Sequence, residues 1–463
     1  MTSHFRLAFV LLGASLVFAA GVMASTNTDN TTVANIVGWE AGPDTRGTLS
    51  LVWSCVITIF ACTSTVLHLN VPGREDSTSL RVWRKMKWMV ITILFPEFIF
   101  AKAVCDLRQA LAELRDFGDD IQEINGKTKR TLQPPSGDLQ IDTAQEMNSK
   151  VWKTVQKWTI FHSYYAQMGG LLVPNWSWEP SYGVLTGTVL NAQLQWSSDS
   201  DSPLKHLVLS EKDIQDTSKA DWSLKSIAVL QIAWLVLSVA VRALTGLPIT
   251  QLEIATIAFA IMAILTYVTS WWKPKGVSEP KIVQCVSPDK MRIMYTPRIQ
   301  YMSLWFWSPA RSAEGWQRTD CNKRVPNDAI LVKGDTPSIT VLLAASSLLF
   351  GGLHCLAWNF EFPSRTELTC WRVGCLISAV LPAVTVGIST FLSYLSTKYL
   401  NQQCFRIFVK EELKDLPEMP SECGILYTSS RLLTIILLFT SLRAVPADVY
   451  RTTSWVSFLP NIS

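Results

Sequence analysis

Residues 87–104 read KWMVITILFPEFIFAKAV, an apolar run just long enough to cross a bilayer, with Pro96 and Glu97 in its middle and Lys102 near its far end. A carboxyl at that depth is costly unless it faces the bundle interior, pairs, or stays protonated. Glu97 is therefore the first functional candidate, and the stretch marks the chain as a membrane protein. The 463 residues around it agree: 48% are hydrophobic and only 17% charged, with 19 Trp, which is too apolar for an ordinary soluble protein of this size.

Upstream, residues 1–25 have the form of a secretory signal peptide, with Arg6 near the start, an apolar stretch, and the small residues Ala24 and Ser25 at its exit. The alternative is an uncleaved anchor, and in either case the chain enters the secretory pathway, in the endoplasmic reticulum or plasma membrane. A polar segment at 26–48 holds the glycosylation sequon at Asn30; further sequons start at Asn175 and Asn461. The first span follows at 49–69. Between it and the Glu97 span lie Arg74, Arg81, Arg84, Lys85 and Lys87, a cation density expected on the cytoplasmic side.

Downstream, residues 106–123 form a charged amphipathic helix, and its sequence Asp119-Asp120-Ile121-Gln122-Glu123 matches the acidic pattern with which soluble terpene cyclases bind magnesium diphosphate. Short acidic patterns are common on solvated helix faces, and that reading is preferred. The rest, to residue 150, reads as a loop. Residues 158–173, WTIFHSYYAQMGGLLV, are short for a span; a tilted crossing, a re-entrant segment or an interfacial helix all fit, and charge placement favours crossing. A hairpin at 226–272 carries Arg242 and Glu253 around a tight turn, where an ion pair at the membrane surface is expected. After a loop at 273–336 with strand-like pieces, three spans fall within 337–442, and an interfacial tail occupies 443–463. Gly351-Gly352 in the first of these spans allows close helix approach.

The expected fold is thus an all-α polytopic membrane protein, with seven or eight transmembrane helices after the signal peptide and long irregular loops. The first transmembrane pair lies within 49–104, and a large loop at 105–225 contains the amphipathic helix and the short stretch 158–173.

The net charge of +4 is spread over loops, without the basic, aromatic-interleaved stripe of a nucleic-acid binder, so nucleic acid is not an expected partner. No P-loop, GxSxG elbow, HExxH, haem-type cysteine signature or paired CxxC spacing occurs, so no cofactor or metal is expected. Of the ten cysteines, Cys285, Cys321, Cys404 and Cys423 fall in predicted loops and can pair only in an oxidising compartment.

Lys102 and Asp106 share a helix face and pair readily, which leaves Glu97 without a local partner. A desolvated Glu can serve as a proton donor, as acid-started cyclisation of an isoprenoid or opening of its epoxide requires, and His162 and Tyr164 are the other candidate catalytic side chains. A proton-coupled carrier needs the same group. The structural alternative is that Glu97 pairs with Arg431 or His162 and only fixes packing.

Seven segments also carry a resemblance: GWEAGPDTRGTLSLVWSC (38–55), CTSTVLHLNVP (62–72), KMKWMVITILFPEFIFAKAV (85–104), SEKDIQDTSKAD (210–221), LPITQLEIATIAFA (247–260), HCLAWNFEFPS (354–364) and SLRAVPADVYRTTSWVSFLP (441–460). In their order they resemble a large family of multi-pass membrane proteins of filamentous fungi, mostly without assigned activity, that recur in secondary-metabolite gene clusters. The resemblance implies a lipophilic small molecule, membrane lipid and other biosynthetic membrane enzymes as partners. It implies no catalytic residues. A transporter or sensor of such a molecule, or a membrane scaffold, are the competing functions.

Overall fold

A computed structural model describes residues 36–37, 46–73, 76–131, 158–175, 181–184, 211–217, 222–282, 300–303, 325, 327, 329–332, 337–399 and 421–451. The predicted signal peptide and the sequons at Asn30 and Asn461 lie outside them, as do Cys285, Cys321 and Cys404. The described chain is mostly helical. Its helices are α1 (Thr48–Val66), α2 (Thr78–Leu94), α3 (Pro96–Thr131), α4 (Ile160–Gln167), α5 (Glu211–Thr217), α6 (Trp222–Leu244), α7 (Gln251–Thr269), α8 (Pro337–His354), α9 (Arg365–Tyr399) and α10 (Ser421–Thr440).

Among the described residues, five helical segments are long and apolar enough to cross a membrane: Thr48–Val66, Ser226–Leu244, Gln251–Thr269, Arg365–Ile388 and Cys423–Arg443. The pair Thr78–Leu94 and Pro96–Arg115 makes a sixth if it is one broken span. Val341–Ala357 is a shorter apolar helix.

Helix α7 is the axis of the bundle. It packs on α1, α3, α6, α8 and α10, and 78% of its apolar stretch is buried. Its alanines at 255, 258, 260 and 263 keep the helix thin, so neighbours approach on every side. The other spans bury one face and present Trp53, Phe60, Leu230, Phe391 and Ile436 outward, as lipid-facing helices do. Helices α8 and α9 pack so closely that a Cβ on Gly351 would stand 2.6 Å from the Ala379 backbone. Gly352 has nothing within 4 Å of such a Cβ, so of the two glycines only Gly351 makes the close approach.

The structure corrects the reading of residues 87–104 as one straight span. Pro96 has no N–H to continue the helix and drives Phe95 out of helical geometry, to φ −137° and ψ 62°. The chain restarts with Pro96 as first residue of α3, at 107° to α2. Helix α3 then continues unbroken through the predicted amphipathic helix and past Asn125-Gly126, where a loop was expected, to Thr131.

A second correction concerns 158–173. It forms only the eight-residue α4 and then, after the left-handed turn at Gly169, strand β2 (Leu171–Asn175), which pairs antiparallel with β3 (Ser181–Val184) and parallel with β4 (Lys281–Ile282). Eight helical residues rise about 12 Å against the ~30 Å of a hydrocarbon core, so the stretch is no crossing. The sidedness argument that rested on its crossing falls with it. Asn175 is the last residue of β2, opposite Ser181.

Strands β5 (Gln300–Ser303) and β6 (Ala329–Val332) pair antiparallel within the predicted 273–336 loop. The tail is more built in than an interfacial segment: strand β7 (Val445–Pro446) pairs with strand β1 (Ile36–Val37), and the 3-10 turn Ala447–Tyr450 buries Val449 and Tyr450. Cys423 is a free thiol within α10.

Candidate functional site

The break at Pro96 aims Glu97, in the first turn of α3, into the interface with α8 and α10, where it is 1% exposed. Tyr427 on α10 donates its Oη hydrogen to Glu97 Oε1 at 2.5 Å. Glu97 Oε2 is buried without a hydrogen-bond partner among the described residues. One turn along α10, Arg431 lies on the same face as Tyr427. Its Nε donates to the Leu94 carbonyl at 3.1 Å, one of the acceptors left unsatisfied where α2 ends, and its guanidinium stacks over Phe350 at 4.3 Å. Arg431 therefore caps the broken helix and puts a positive charge near Glu97 without bonding it.

Around this pair, Ser346 Oγ donates to the Glu97 carbonyl at 3.3 Å, and Phe95 stacks on Tyr427 at 6.1 Å. His354 bonds the Phe350 carbonyl through Nδ1 at 2.8 Å, and its ring lies between Phe350 and Trp371. Chemically this is a carboxyl anchored through one oxygen and open through the other, in a shell of aromatic rings.

His162 and Tyr164 do not join Glu97. They sit on α4, which packs on α3, and Tyr164 lies near Asp106, nine positions from Glu97 along α3, or about 13 Å. His162 Nδ1 accepts from the Thr159 N–H at 3.1 Å and closes the N-terminal cap of α4, with Trp158 at 5.1 Å. Tyr164 Oη donates to the Thr269 carbonyl at the end of α7, at 3.0 Å. Both have structural employment. Asp106 accepts from Lys102 at 2.9 and 3.0 Å, as the spacing predicts, and also from Lys273 at 2.7 Å. Burial lowers the pKa of Lys273 from its ordinary value, and Asp106 pulls it back up.

At the opposite end of α7 the expected Arg242–Glu253 ion pair is replaced by two separate anchors. Glu253 closes a capping box with Thr250 and takes Arg46 of the N-terminal turn on Oε1, at 2.5 Å. Among the described residues Arg242 bonds carbonyls, those of Pro248, Asp448, Val449 and Arg451. A cavity of about 280 Å³ opens beside these anchors, between the α6–α7 turn, the segment after α8 and the tail.

Sequence reasoning missed Tyr427, Lys273 and Arg46. The i, i+4 spacing of Tyr427 and Arg431 on an apolar helix was the available signal for the first. Lys273 reads locally as part of an aromatic and basic interface belt, and Arg46 as a turn residue; their partners lie 167 and 207 positions away. The side chains of Asp119–Glu123 lie outside the described residues. Among the described residues no three His, Cys, Asp or Glu side chains come together as a metal set.

A bundle of apolar helices around one buried axis, with a carboxyl buried at a broken helix pair, defines a helical membrane protein. The chain belongs to the family described as "Family of unknown function (DUF8562)", whose model matches residues 16–303. The matched part includes Glu97, Asp106, Arg242 and Glu253, whereas Tyr427 and Arg431 lie beyond it. No curated protein and no solved structure matches the chain.

Proposed function

We propose that the protein acts on a lipophilic small molecule inside the bilayer, with Glu97 as the group that gives and takes a proton, in an acid-started cyclisation or isomerisation of an isoprenoid-type substrate. The observation that supports this is the state of the Glu97 carboxyl: Tyr427 holds Oε1, and Oε2 is buried with no hydrogen-bond partner among the described residues. A carboxylic acid fixed in this way delivers its proton from the free oxygen. The proton adds to an alkene carbon or epoxide oxygen, the cation closes or rearranges onto a second double bond, and a proton is lost to restore neutrality, so no redox partner is required. The stacked Phe95 and Tyr427 rings offer aromatic faces to a passing cation.

The motif resemblance supports a setting in secondary-metabolite biosynthesis, in a fungal secretory-pathway membrane alongside other biosynthetic membrane enzymes. The test is metabolite profiling of a deletion strain complemented with wild type or with Glu97→Gln, with protein amounts matched. The expected result is an acyclic precursor in the deletion strain and no product from Glu97→Gln. Restoration of the product by Glu97→Gln overturns the reading.

A second reading, a proton-coupled carrier of the same molecule, is favoured by the 107° break beside Glu97, because carriers build their sites at interrupted helices. It predicts that the compound changes place and keeps its structure. A scaffold predicts that Glu97→Gln changes neither.

A further inference from the structure

We infer that the cavity at the Gln251 end of α7 is a binding site for a neutral, compact lipophilic molecule bearing one hydroxyl or N–H donor. The inference rests on the reading that the protein handles a lipophilic small molecule, and it adds a site separate from Glu97.

The space measures about 280 Å³, close to the lower end of the ~300–1,000 Å³ range of small-molecule sites. Its wall is mainly apolar, from Leu247, Ile249, Phe360, Val445 and Val449, with Thr250 and Gln251 as the buried polar members. The walls are held apart by bonds that do not depend on a ligand. Arg242 ties the α6–α7 turn, through Pro248, to the tail, through Asp448, Val449 and Arg451. Gln251 Nε2 donates to the Glu361 carbonyl at 2.6 Å and holds the third wall. Gly246, at φ +69°, lines the space, with nothing within 4 Å of where a Cβ would stand.

The chemistry of the ligand follows from which polar groups are already engaged. Glu253 spends Oε1 on Arg46 and Oε2 on Thr250, and the Arg242 donors end on carbonyls, so neither charge is offered to the cavity. The Thr250 hydroxyl donates to Glu253 Oε2 and accepts from the Glu253 N–H. Gln251, only 2% exposed, gives one of its two Nε2 hydrogens to the Glu361 carbonyl and keeps Oε1 as an acceptor. No cationic side chain lines the space to meet an anion, and Glu361, which also lines it, is exposed to solvent and so a weak partner for a cation, whereas a lipophilic alcohol would match both the wall and that acceptor. The cavity lies at the helix ends, so such a molecule enters from the interface.

The test uses the full chain in lipid nanodiscs and a photoreactive diazirine analogue of farnesol as the probe. Labelling is expected within residues 243–251, 359–361 or 445–449, and an excess of unlabelled farnesol should abolish it. Ala243→Phe and Leu247→Trp, which fill the space from two positions of the α6–α7 wall, should each cut labelling at least fivefold while the protein keeps its gel-filtration profile. Glu97→Gln should label as wild type does. Labelling confined to other segments, or unchanged in both filling variants, overturns the inference. Loss of product in Glu97→Gln with that labelling pattern would leave the Glu97 reading standing and this one refuted.

Discussion

Replacing Arg242 with Met should release the tail from the bundle while leaving the spans in place. The Arg242 guanidinium donates to Pro248 at 3.0 and 3.2 Å, Asp448 at 3.1 Å, Val449 at 2.7 Å and Arg451 at 2.9 Å. Three of these four carbonyls belong to the tail. A hydrogen bond to a charged group contributes about 1.5–3 kcal/mol, but these share one cation and the tail can partly rehydrate, so the contributions do not add. Arg242→Met takes away the charge and leaves four neutral carbonyls, each costing about 1–3 kcal/mol if it stays buried without a donor; with partial rehydration a total of about 3 kcal/mol remains. At about 1.4 kcal/mol per factor of ten, ~3 kcal/mol is a hundredfold. The assay is amide hydrogen exchange in nanodiscs, read on peptides covering residues 444–451, where protection should fall about 100-fold. Arg242→Lys, a single point donor in place of a planar fork, should recover only part of it. Wild-type protection of the tail in Arg242→Met, or an equal loss throughout α1, α7 and α8, would refute the claim that Arg242 is the clasp.

Other substitutions separate neighbouring roles. Gly351→Ala should destabilise the α8–α9 contact by about 1–3 kcal/mol, because its Cβ would meet the Ala379 backbone at 2.6 Å, whereas Gly352→Ala meets nothing and should be neutral or slightly stabilising; detergent unfolding curves of the pair decide this. Tyr427→Phe removes the hydrogen bond to Glu97 Oε1 and should cost about 1–3 kcal/mol in the same assay. Lys273 has a pKa lowered in the fold, chiefly by burial. Between that lowered value and the ordinary ~10.4 the unfolded chain binds more protons, so this residue's contribution makes stability rise with pH across that window. Lys273→Met should remove that rise, as seen in unfolding measured over an alkaline pH series.

The spans were legible because apolar blocks of spanning length leave the chain few other choices, and α1, α6, α7, α9 and α10 fall where hydropathy puts them. The break in 87–104 was also written in the sequence, in Pro96 and the restriction it places on Phe95, but run length alone conceals it. Residues 158–173 misled for a related reason: a short apolar run is equally a buried helix and strand, and only the pairing of β2 with β3 and β4 decides between them. Glu97 stood out because its cost in an apolar run is a local property. Its partner was hidden, since Tyr427 lies 330 positions away and Arg431, the cation considered for it, is spent on the Leu94 carbonyl. Arg242 and Glu253 looked like a pair for being near in sequence, yet each found a better partner at long range. Pairings of this kind depend on packing order, which charge spacing does not encode.

The acid and the cavity lie at different levels of the bundle, which makes their roles separable by kinetics. Arg431 stacks over Phe350, and Phe350 meets Phe259 edge-on at 5.1 Å, so Glu97 sits near the Phe259 level of α7. Gln251 precedes Phe259 by eight positions, about 12 Å along the helix, and the buried Phe350, His354 and Trp371 fill part of the interval. A molecule held at the cavity does not touch Glu97 there; to be protonated it has to pass that aromatic layer. Ala243→Phe should therefore raise KM for a membrane-delivered substrate and leave kcat close to wild type, because it blocks the waiting site and spares the acid. Glu97→Gln should do the reverse, lowering kcat with labelling of the cavity intact. If both variants lowered kcat alike with KM unchanged, the cavity would not be a stage on the way to the acid.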